Sequence, residues 1–156
     1  MKMEIVSTRD ANLLARLNHD VQEIHHEIEP EIFKPFDQDH IETFFQKVLE
    51  NSSVTAYIVK VDEIPAGYML LVENTTVENP FKYACTTLHI DQICVESEFK
   101  GKGVGKALVD YAKQYAVSKQ IKRIEMNYWT HNTNSGEFFR SQGFVNFNER
   151  LFINVE

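Results

Sequence analysis

Apolar positions along the chain fall into two periods, and the changes between them mark out the elements. Met3 to Ser7 alternates as a short strand. After Asp10, a residue type that caps helices, Leu13, Leu14, Leu17, Val21, Ile24 and Ile28 recur at helical spacing, so one face of that helix is buried. Pro30 stops it, and the residues up to Pro35 read as a loop. A second helix, starting near Asp37 or Asp39, turns Ile41, Phe44, Phe45, Val48 and Leu49 toward a core. Two β-rich runs, Val54 to Val61 and Gly67 to Glu73, follow as a hairpin closed by a short polar turn containing Pro65. A polar loop from Asn74 to Lys82 comes next.

From Ala84 to Val95 the pattern is strand-like, and period two puts Thr87, His89, Asp91, Ile93 and Val95 on one face and Leu88, Ile90 and Cys94 on the other. The stretch FKGKGVGKALVDYAKQY, from Phe99, opens a helix whose Val104, Leu108, Ala112 and Tyr115 form one apolar face. Arg123 to Trp129 is a further strand. The polar segment THNTNSG leads into a short helix ending at Gln142 and Gly143, and Glu149 to Val155 closes the chain as a strand. This order predicts a mixed sheet with helices on its faces, an α/β (α+β) fold in one domain spanning 1–156.

Composition changes this picture little. The 156 residues are 43% hydrophobic and 25% charged, in the range of ordinary globular proteins. No apolar run has signal-peptide length or approaches the roughly 20 residues of a membrane span, so a cytoplasmic protein without membrane attachment is expected. Twenty-three acidic residues against 16 basic ones give a net charge of -7, which argues against nucleic acid and mildly favours a cationic partner. Cys85 and Cys94 sit in strand-like contexts and read as reduced core thiols. His25 and His26 are adjacent and His40 is distant, so no metal-binding spacing is present and no catalytic metal is expected.

Against this acidic background, Lys100, Lys102 and Lys106 are interleaved with Gly101, Gly103 and Gly105 just before a helix. A strand, a glycine-rich turn and a helix N-terminus make an anion site, because unpaired N–H groups and the positive end of the helix dipole converge there. A Walker loop is excluded, since Ala107 follows Gly105 and Lys106 where Ser or Thr would hold magnesium. A dinucleotide fingerprint is excluded because Lys106 stands where a third glycine is needed.

The run K-G-K-G-V-G, from Lys100 to Gly105 with Val104 inside it, resembles the acyl-CoA diphosphate loop of the GNAT superfamily of N-acetyltransferases, with lysine at its first position. The preceding IDQICVESEF is similar to that family's fourth strand, and NTNSGEFFRSQGF, from Asn132 to Phe144, to its downstream Asn, small, aromatic, Gly-Phe block. The resemblance implies a mostly antiparallel sheet of about six to seven strands flanked by about four helices, with acetyl-CoA as cosubstrate. It implies that the fourth strand bulges and splays from the fifth, leaving the backbone of Ile93, Cys94 and Val95 to pair with pantetheine. Asn132 matches an asparagine that touches the cofactor arm. Phe139 takes the place of a tyrosine that protonates the departing thiolate, for which Tyr128, Tyr111, His131 or water would have to substitute.

An ammonium acceptor must lose a proton before it can attack. Asp91 is the first candidate base, at a position where family members carry glutamate, and His89 is the second. The acceptor is expected over HHEIEPEIFKPF, where Glu27 and Glu29, with Glu31, His25 and His26, meet a cationic amine and Phe33 and Phe36 form a wall. Three readings follow: acetylation of a small-molecule primary amine, acetylation of a protein lysine or N-terminus, or noncatalytic sensing of acyl-CoA. A homodimer through the C-terminal strands is compatible with Leu151, Phe152 and Ile153.

Overall fold

The computed structural model describes residues Met1–Glu156. The elements are β1 (Met3–Thr8), α1 (Ala11–Ile28), α2 (Gln38–Val48), β2 (Val54–Val61), β3 (Ile64–Thr76), β4 (Cys85–Val95), α3 (Val104–Ser118), β5 (Ile124–Met126) and α4 (Thr133–Ser141), with a short 3-10 turn at Ser97–Phe99. The strands form one sheet in chain order, antiparallel from β1 to β4 and parallel between β4 and β5.

The alternation of the strands builds a core on each face. On one side Val104, Leu108, Ala112 and Ala116 of α3 pack over Val59, Met69, Leu71, Leu88 and Ile90. On the other, Leu14 and Leu17 of α1 and Phe45 of α2 cover Ala56, Ile58, Tyr68, Leu70 and Cys94. Leu14 and Leu108 are fully buried, and each such side chain contributes about 1.5–3 kcal/mol. Asp10 and Asp37 cap α1 and α2 through hydrogen bonds from the N–H groups of Leu13 and His40, as their positions suggest.

Several sequence expectations are corrected. The β2–β3 turn is made by Asp62 and Glu63, both at positive φ, while Pro65 lies inside β3 opposite Lys60, at a register shift where a missing N–H is tolerated. Strict alternation fails in β4. The register with β3 passes from Leu70↔Gln92 to Leu71↔Ile90, leaving Asp91 as a bulge. The bulge exchanges the faces, so Leu88 and Ile90 share the α3 side with Ile93 and Val95, and Cys94 alone of the predicted trio faces α1.

The sheet has five strands rather than six or seven. Residues 149–155 form no strand, and Leu151, Phe152 and Ile153 are exposed. A strand needs a partner edge, and β5, at the near end of the sheet, is only three residues long. Cys85 is exposed at the start of β4, and only Cys94 is a core thiol. Ile28 and Phe44 are also exposed, because each sits at the margin of its helix's apolar stripe.

Candidate functional site

β4 keeps β5 as a neighbour only briefly. Parallel pairing covers Leu88–Ile90 against Ile124–Met126, whereas the pairing with β3 continues to Val95 opposite Gly67. Past Ile90 a wedge therefore opens between Asp91–Val95 and residues 127–131. Along it the β4 backbone has no neighbouring strand and can pair with an extended ligand. Gly67 lets β3 press against this stretch: a Cβ there would strike the carbonyl oxygen of Cys94.

At the outer end of β4 the chain turns sharply. The Glu96 N–H donates to the Ala66 carbonyl at 2.8 Å, and Phe99 anchors the turn in the core. Gly101 and Gly103 then adopt φ of 74° and 82°, the left-handed region that glycine enters without strain. No side chain caps α3. Its first intrahelical bond runs from Ala107 N–H to Gly103 C=O, so the N–H groups of Val104, Gly105 and Lys106 lie in a first turn that offers them no helical acceptor. Gly105 serves packing instead: a Cβ there would meet the Phe138 ring at 3.1 Å. Lys100 and Lys102 are exposed, the Lys102 ammonium 5.3 Å from the centre of the Phe99 ring, and Lys106 pairs with Asp110 one helical turn on.

Asn132 is the N-cap of α4, its Oδ1 accepting from the Ser135 N–H at 3.2 Å. Phe139 is buried between Phe138 and Phe144, at centroid distances of 5.0 and 5.6 Å, which is a packing role. Of the groups named in place of its missing hydroxyl, Tyr111 packs against Tyr57, and Tyr128 accepts a 2.8 Å hydrogen bond from Arg140 that leaves its own O–H free to donate. His131 lies on the wedge itself.

Asp91 is exposed at the bulge, where the wedge begins. His89 sits in the paired part of β4, opposite Val72 and Glu125, on the closed side of the divergence. The expected acceptor segment meets the far wall of the wedge through a closed circuit of rings. His25 stacks on Phe33 at 4.6 Å, Phe33 meets Trp129 edge-on at 4.8 Å, Trp129 stacks on His131 at 6.0 Å, and His131 contacts His25 at 5.6 Å. The Glu29 carboxylate lies 3.7 Å from His131 Nδ1. Glu29 and Phe33 are thus brought to the wedge, while Glu27 stays exposed on α1.

Three features escape sequence reading. Trp129 and His131 join the acceptor side only through folding. A buried polar chain runs from Asn18 Nδ2 to Tyr68 Oη at 2.9 Å and from the Tyr68 hydroxyl to Gln92 Oε1 at 2.7 Å, ending beside the bulge; its one local signal is a polar Asn18 inside the apolar stripe of α1. The Cys94 thiol donates to the Leu17 carbonyl, and burial pushes its pKa up to about 12, so it carries no thiolate at neutral pH.

A sheet whose β4 and β5 part beside a glycine-rich helix N-terminus is the arrangement that the acetyltransferase resemblance implies. The sequence pattern of the acetyltransferase (GNAT) family matches residues 19–144. An uncharacterized N-acetyltransferase of Lactobacillus delbrueckii subsp. lactis is 29% identical over 101 residues, covering 62% of this chain and 55% of that protein, so the chain spans about half that relative's length. Among solved structures, a mutant BH1408 protein from Bacillus halodurans superposes over all of both chains with a TM-score of 0.89 at 20% identity. The aminoglycoside N-acetyltransferase AAC(6')-Iy in complex with CoA superposes with a TM-score of 0.71 at 16% identity, over 99% of this chain and 95% of that one. The chain belongs to the GNAT acetyltransferase family.

Proposed function

We propose that this protein transfers the acetyl group of acetyl-CoA to the primary amine of a small molecule, by direct attack in a ternary complex. The observation that carries the reading is one wedge with an unpaired β4 edge along its wall and a Gly101–Lys106 turn at its mouth. The turn suits a diphosphate: its backbone adopts an open left-handed shape, its first-turn N–H groups have no helical acceptor, and Lys100 and Lys102 supply charge. The edge from Ile93 to Val95 suits the amide groups of pantetheine. A backbone N–H near Val95 would then polarise the thioester carbonyl and hold the developing oxyanion.

On the acceptor side, exposed Asp91 and the Glu29 carboxylate favour a cationic amine, and Phe33 and Trp129 give it an apolar wall. The test is release of free CoA thiol from acetyl-CoA in the presence of spermidine, tyramine or kanamycin, run beside a lysine peptide and an alanine N-terminal peptide. The proposal expects thiol release with at least one small amine. Release with the peptides alone would move the assignment to protein acetylation, and acetyl-CoA binding with no release in any mixture would leave a sensor.

A further inference from the structure

Two histidines distant in sequence meet at the wedge, with a carboxylate beyond the second. His25, near the end of α1, and His131, just before α4, face each other with Nδ1 of the first 3.4 Å from Nε2 of the second. The other nitrogen of His131, Nδ1, points to the Glu29 carboxylate at 3.7 Å. At 3.7 Å the carboxylate acts through its charge rather than through a hydrogen bond, and that charge favours the His131 tautomer with its hydrogen on Nδ1 and a lone pair at Nε2. His25 must then donate from Nδ1, which leaves its own lone pair on Nε2.

We propose that His25 is the base that deprotonates the acceptor amine, with His131 and Glu29 as positioning residues that fix its tautomer and share its charge. This rests on the acetyl-transfer reading above. The ammonium form of the acceptor gives one proton to His25 Nε2, and the resulting imidazolium is stabilised through Nδ1–H by His131 and, beyond it, by the Glu29 carboxylate before the proton passes to solvent. The freed nitrogen lone pair attacks the thioester carbonyl carbon and the new C–N bond forms. The C–S bond breaks with its electron pair leaving on sulfur, and the second proton of the attacking nitrogen ends on that thiolate. The sum is amide, CoA thiol and one released proton.

The surroundings fit a base rather than a surface pair. The His131 side chain is only 15% exposed, and Phe33 covers one face of the His25 ring. The groups that bear on His25 are His131 from the segment after β5 and, through it, Glu29 from the end of α1. Burial first, and second the repulsion of any positive charge on His131, hold the His25 pKa below the usual imidazole value, so at neutral pH it is unprotonated and able to accept. Asp91, exposed at the bulge without a hydrogen-bond partner, then serves to draw in the ammonium group.

The experiment is the pH dependence of steady-state acetylation for whichever of spermidine, tyramine or kanamycin the wild-type protein uses, with His25→Gln, Glu29→Gln and Asp91→Asn beside it. Acetyl-CoA-induced thermal stabilisation of each variant reports folding and cosubstrate binding separately. His25→Gln should keep that stabilisation, lose about 10²-fold in kcat and lose the acidic limb of the pH profile. Glu29→Gln should keep the limb but move its midpoint to lower pH, an effect that a merely structural role would not produce. Asp91→Asn should raise KM for the amine more than it lowers kcat. Wild-type kcat with an unmoved acidic limb in His25→Gln overturns the base while leaving the acetyltransferase reading intact. A wild-type protein that binds acetyl-CoA yet acetylates none of the amines overturns both.

Discussion

Glu96 is the residue least at ease in this fold. It follows the last residue of β4, and its Oε1 atom is buried with no hydrogen-bond partner. Burial, then the nearby charges of Asp20 and Glu98, raise its pKa above the ordinary 4.5, whereas hydrogen bonds from His19 and Ser97 hold Asp20 low. A carboxyl that binds its proton more tightly when folded favours the native state below its unfolded pKa and loses that advantage as pH rises through the folded value. Glu96→Gln should therefore raise the urea midpoint at pH 7, and its margin over wild type should vanish once pH falls below about 4.5. A margin unchanged by acidification would contradict this account. At this scale the sequence was legible where a residue acts on its own backbone, as where Asp10 and Asp37 cap helices. It was silent where partners come from afar, as with Asn18 and Tyr68, 50 residues apart, or His25 and His131, 106 apart.

Among the elements, β4 decides where the wedge lies. Its bulge at Asp91 reverses which side chains face α3, and a period-two reading cannot see this because an extra residue leaves the local pattern of apolar types unchanged. The same blindness put the hairpin turn at Pro65 instead of Asp62–Glu63. Helices fared better, since caps and a sustained 3.6-residue period are local signals. The outward edge of β4 is held by close contact with β3 at Gly67, where an added Cβ would strike backbone rather than a movable side-chain tip. Gly67→Ala should cost about 1–3 kcal/mol in chemical denaturation. It should also weaken acetyl-CoA binding, because the displaced Cys94 and Val95 backbone forms the wedge wall; a stable variant with wild-type affinity would show that the close approach is incidental.

For the whole molecule, two helical layers stabilise a sheet whose strands part at one end, and the parting is where chemistry is possible. The expected mixed α/β architecture with four helices stands, because long amphipathic elements specify which faces must be covered. The expected closing strand does not form, because pairing depends on an available edge and not on the apolar character of residues 151–153 alone. The net charge of -7 makes the lysine and glycine turn a local exception, and the proposed use of that exception is to hold the diphosphate of acetyl-CoA. Thermal unfolding with and without acetyl-CoA, for wild type and Gly103→Glu, tests this most directly. At 100 times its dissociation constant the ligand stabilises the native state by about 2.7 kcal/mol, a rise of roughly 2–4 °C for each kcal/mol in a domain of this size. Wild type should show that rise, and a Gly103→Glu variant that still unfolds cooperatively should lose it; no rise in wild type, or an equal rise in both proteins, would mean that the turn does not hold the diphosphate.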